Sequence, residues 1–159
     1  MPPTLKNAYQ TCKMYESLRT QLMDVLADED LAFTPGGENL SLGGLCVEIG
    51  EIQHAYAESF RTFTQNFDYR AEQTGLAGSV AALKTWYAKL DEEFEQALDA
   101  LSPEDVESRE IDRGGDFKLL TSHQIDIYKE ALLIFYGKAS VYLKAIGKPR
   151  PSSWVDWIA

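Results

Sequence analysis

From Ile125 to Ile146, apolar or aromatic side chains return at alternating steps of three and four residues: Ile125, Tyr128, Leu132, Phe135, Ala139, Tyr142 and Ile146. Only a long α-helix puts all seven on one face, and a seam of that length needs other helices to cover it. The helix has a plain stop, Gly147 followed by Pro149. Three more amphipathic patterns precede it. One runs from about Thr4 to Ala27 on Leu5, Ala8, Cys12, Tyr15, Leu18, Leu22 and Leu26. The next opens at Ser41, a good N-cap, and continues through Leu42, Leu45, Ile49, Ile52, Tyr56, Phe60, Phe63 and Phe67. The third starts near Ser79 and reads Val80, Leu83, Tyr87, Leu90, Phe94, Ala97 and Leu101. Four such seams predict an all-α chain, an antiparallel four-helix bundle with the second and last helices adjacent.

The connections carry their own signals. Asp28–Asp30 and Thr34-Pro-Gly-Gly37 close the first helix with a loop. Ser102-Pro103 caps a short new turn, since proline fits the first helical position. Arg109–Arg113 is compatible with a short strand or hairpin arm, with Gly114-Gly115 as the turn. Thr121 and Gln124 have the spacing of a capping box at the head of the last helix. A tail from 148 to 159 holds Trp154 and Trp157, two side chains that must pack on the bundle or cover a partner. Residues 1–159 are expected to form one domain.

Composition narrows the function. Twenty-five acidic residues against 15 basic ones give a net charge of −10, with no cluster of Lys or Arg. Nucleic acid and anionic lipid are therefore poor partners. No apolar run reaches membrane-spanning length and no signal-like segment opens the chain, so a cytoplasmic location is expected. Cys12 and Cys46 fall in helical patterns and read as buried thiols of a reducing compartment. No GxGxxG, Walker A, GxSxG, HExxH or EF-hand pattern occurs.

Three features together resemble the DinB/YfiT-like superfamily of four-helix bundles. These are Ser41-Leu-Gly-Gly-Leu-Cys-Val-Glu48-Ile-Gly-Glu-Ile-Gln-His54 at the head of the second helix, Gly137 followed by Val141-Tyr-Leu-Lys-Ala-Ile-Gly147-Lys-Pro149, and the order of parts. The resemblance implies a divalent metal such as zinc or nickel, held by three histidines and in some members used to activate a low-molecular-weight thiol. It places one ligand seven residues after the opening serine, which is Glu48 here, and two just before the closing glycine, at Ala131 and Phe135. One carboxylate, a methyl and a phenyl ring do not make a three-ligand site. No metal or other cofactor is expected, and Phe135 is expected to fill the vacated volume.

Other donors are sparse. Glu51, His54 and Glu58 share one helix face, and Glu51-x-x-His54 matches half of a di-iron signature. The other half is missing, so Glu48, Glu51 and His54 are only weak metal candidates. His123 reads as a surface residue near the helix cap. Glu48 flanks the Leu45–Ile49–Ile52 seam and should be the polar focus of a ligand pocket in the interhelix cleft, facing Tyr128, Tyr136 or Lys138, with Phe135 in its wall. No nucleophile sits beside a convincing base, which makes hydrolase chemistry a weak reading. The chain is thus expected to be a non-catalytic binding or structural bundle, paired as a homodimer. The alternative is an enzyme of the metal-dependent thiol transferase or hydrolase type with a site rebuilt around Glu48 and His54. A role in direct DNA contact is opposed by the charge.

Overall fold

Each long seam becomes a helix because its apolar face has a place to go. The computed structural model describes residues 1–156 and 158, the side chain of residue 156 excepted. The long helices are α1 (Pro3–Val25), α2 (Leu42–Thr62), α3 (Val80–Asp99) and α5 (Thr121–Ala145). A short α4 (Pro103–Ser108) and a two-stranded hairpin, β1 (Glu110–Asp112) with β2 (Lys118–Leu120), lie between α3 and α5. The hairpin is antiparallel, with Ile111 opposite Leu119.

The four long helices form a ring in which α2 touches α3 and α5, while α1 touches α3 and α5. Long-range contacts give the directions. The Tyr142 hydroxyl donates to the Leu40 carbonyl at 2.9 Å, and Gln124 bonds Ser59, so α2 and α5 run antiparallel. The Met1 amino group meets Asp99, and Lys84 meets Asp24, so α1 and α3 do likewise. Tyr87 reaches Cys46 and Arg61 reaches Glu93, which makes α2 and α3 parallel neighbours. The stretch from 63 to 79 returns the chain along the bundle to allow this.

The caps explain most boundaries. Ser41 accepts the Gly44 N–H, Ser79 the Ala82 N–H, and Ser102 the Asp105 N–H. At the end of α5, Gly147 takes φ 70° and the Lys148 N–H reaches back to the Leu143 carbonyl at 2.9 Å. Gly43 is a packing requirement: a Cβ there would collide with the Ala77 backbone carbonyl.

Two local expectations need correction. The second helix ends at Thr62, because Phe63 turns left-handed at φ 57° and its carbonyl takes the Asp112 N–H at 3.0 Å. Arg109 then stacks on the Phe63 ring at 3.4 Å, and Phe67, read as seam, is left 47% exposed. The capping box at Thr121 does not form. The Thr121 hydroxyl donates to the Arg109 carbonyl at 2.9 Å, and Gln124 turns inward to Ser59, Gln65 and Arg113. Of the two outcomes expected for the tail, Trp154 takes the first: it packs on the bundle and is fully buried in its own chain. Its indole N–H donates to the Leu18 carbonyl at 3.1 Å, and its ring meets Tyr136 edge-on. Trp157 lies outside the described residues.

Candidate functional site

The three positions that the resemblance marked as metal ligands come together. Glu48 on α2 and Ala131 and Phe135 on α5 line one recess of about 150 Å³, with Ile49, Ile52, Ile134 and Lys138 around them. Antiparallel packing of α2 against α5 produces this meeting, since the steps 131, 135 and 138 turn one edge of α5 toward α2. The donor set does not suit a transition metal. Glu48 is the recess's one anionic donor, and the Lys138 ammonium stands 3.7 Å from its Oε2. A cation placed there would face that ammonium. Among the described residues, no group of three His, Cys, Asp or Glu side chains is arranged to hold a metal ion.

Glu48 also lines a larger groove of about 560 Å³, with Leu40, Gly44, Val47, Glu51, Ile52, Phe67, Arg70 and Ala77. The two hollows share Glu48 and Ile52, so they adjoin on the α2 surface. Six of the groove's nine lining residues are apolar or glycine, and the other three, Glu48, Glu51 and Arg70, are charged. Glu51 accepts the Ala71 N–H at 3.0 Å and lies 3.9 Å from the Arg70 guanidinium. Glu48 keeps 42% of its side chain exposed and so can still take a hydrogen bond from outside the chain.

His54 is not part of this groove. Its ring stacks on Tyr69 at 3.8 Å, its Nδ1 faces the Glu93 carboxylate at 3.6 Å, and it lines a separate hollow with Glu58. Glu58 pairs with Arg61. The three residues of the helical Glu-x-x-His face thus serve three different contacts. His123 is exposed.

Tyr128 and Tyr136 point away from Glu48. The Tyr136 hydroxyl donates to the Tyr15 carbonyl on α1, and the Tyr128 hydroxyl lies 3.3 Å from Glu16 Oε1, also on α1. Of the three donors expected beside Glu48, Lys138 is the one that reaches it.

Those tyrosines lead to a polar core that the seam reading missed. Arg19, 1% exposed, donates at 2.5 Å to both Gln53 Oε1 and Asp91 Oδ1 and lies 4.0 Å over the Tyr87 ring. The Gln53 amide donates to Asp91 at 2.8 Å and to Glu16 at 3.3 Å. Burial pushes the Glu16 carboxyl up to about 8, Asp91 adds to the rise, and Arg19 opposes it. Glu16 and Asp91 also line a hollow of about 270 Å³ between α1 and α3. The signal was in the sequence: 5, 9, 12, 16, 19 and 23 step by four and three, so Glu16 and Arg19 occupy seam positions.

No family model matches the chain, and no curated protein matches it. Among solved structures, it is similar to a DinB-like protein, YjoA, of Bacillus subtilis. The two superpose with a TM-score of 0.67 over 85% of this chain and 88% of the other, at 17% identity. A likeness at that identity speaks for the fold: the chain has the fold of a DinB-like protein.

Proposed function

We propose that this chain is a metal-free, non-catalytic DinB-like protein that binds a small molecule along α2, in the recess between α2 and α5 and the groove beside it. The observation that carries the reading is the recess at Glu48, Ala131 and Phe135. The place where the resemblance puts a metal is there, but its walls are apolar and its one carboxylate has an ammonium beside it. A largely apolar groove with a half-exposed carboxylate suits a ligand with an apolar body and a hydroxyl or amine to donate to Glu48. The enzyme alternative, a thiol transferase or hydrolase rebuilt on Glu48 and His54, gains no support, because the two side chains line separate hollows. The two free, buried cysteines suit a reducing, cytoplasmic setting.

Backbone amide shifts of the labelled protein, recorded against a panel of small apolar alcohols and amines, test this. Binders should move the amides of Gly44, Val47 and Ile52. Ile52→Trp should abolish the effect by filling the groove, and Glu48→Gln should weaken it while leaving the fold intact. A panel that moves nothing, or binders indifferent to Ile52→Trp, would refute the proposal.

A further inference from the structure

The outer face of α5 has no explanation within one chain. Gly137 sits in the middle of that helix, exposed, and a Cβ added to it would meet nothing within 4 Å. Glycine is the poorest helix former after proline, and no neighbour in the chain requires it here. Above and below it on the same row lie Leu133, 37% exposed, and Val141, 59% exposed. One step further out on that row are Glu130 and Lys144, both exposed. Neither is in an ion pair among the described residues.

These five residues are arranged symmetrically about Gly137. Leu133 and Val141 lie four positions to either side, and Glu130 and Lys144 lie seven to either side. We propose that a second copy of this chain docks here, with its α5 antiparallel to the first across a two-fold axis at Gly137. The glycines then allow close approach of the two backbones. Leu133 of each copy packs on Val141 of the other, and Glu130 of each meets Lys144 of the other. Two chains of net charge −10 repel unless opposite charges face each other at the contact, and this row supplies that match twice. A parallel pairing would set Glu130 against Glu130 and lose it. Such exposed ion pairs fix orientation more than they add affinity. The row lies beside the Glu48 recess and shares none of its lining residues, so the pairing stands independently of the ligand reading. It also replaces the tryptophan tail as the reason to expect a dimer, since Trp154 is already covered.

Sedimentation equilibrium of the full chain and its variants tests the pairing. The wild type should show a monomer–dimer equilibrium. Glu130→Lys and Lys144→Glu should each weaken association about tenfold by setting like charges face to face, and the double exchange should restore it. Gly137→Leu should give a folded monomer with no loss of melting temperature, because the added side chain meets open space. Gly137→Cys should cross-link as a dimer on mild oxidation, with Cys12 and Cys46 buried and silent. A wild type that stays monomeric at all concentrations, or a double exchange no better than its single variants, would overturn the proposal.

Discussion

Glu16 is the residue at which burial and charge conflict most openly. It is 6% exposed, it has no cation of its own, and the nearby Arg19 is committed to Asp91. The folded chain therefore holds a proton that the unfolded chain gives up above the ordinary carboxylate range, around 4.5. The stability this supplies is complete below the unfolded value and is lost as pH rises toward about 8. Glu16→Gln keeps the neutral shape and removes the titration. We expect urea unfolding to show the wild type losing stability between pH 5 and pH 8 relative to the variant. At pH 8 the variant should be the more stable protein by about 1 kcal/mol or more. Parallel stability curves would show that Glu16 is ionised in the fold. The same residue shows where sequence reading fell short. A glutamate and an arginine at seam spacing look like solvated charges until Gln53 and Asp91, each far off in sequence, are brought against them.

At the scale of elements, the long helices were legible because each has a continuous seam and all but α1 have a serine or glycine at one end. Ser41, Ser79, Ser102 and Gly147 act as their residue types suggest. What was not legible is which neighbour a seam faces. Tyr128 and Tyr136 were expected to face α2, but their hydroxyls turn to α1, because α5 packs against both. The end of α2 was hidden for a similar reason: Asp112 and Arg109, from the hairpin, capture Phe63 and turn the chain. The helical glycines separate by the same contact logic. A Cβ at Gly50 would run into the Trp86 ring, whereas one at Gly137 meets open space. Gly50→Ala should therefore destabilise the fold by about 1–3 kcal/mol through overpacking. Gly137→Ala should stabilise the monomer by about 0.5–1 kcal/mol through helix propensity. Thermal unfolding of the two variants should move in opposite directions.

At the scale of the molecule, no helix of the described residues is long and apolar enough to cross a membrane. The bundle brings positions 48, 131 and 135 to one recess. That convergence was readable in the sequence only through the resemblance, because nothing in periodicity pairs a turn of α2 with two turns of α5. The chemistry of the recess was readable directly, since alanine and phenylalanine offer no donor atoms to a metal. We propose that this DinB-like bundle brings the three positions together without holding a metal there. Elemental analysis of the purified protein, grown with zinc and nickel supplied and dialysed without chelator, tests it most directly. We predict metal far below one equivalent per chain, unchanged in Glu48→Ala. Near one equivalent of zinc or nickel in the wild type, lost in Glu48→Ala, would contradict the account.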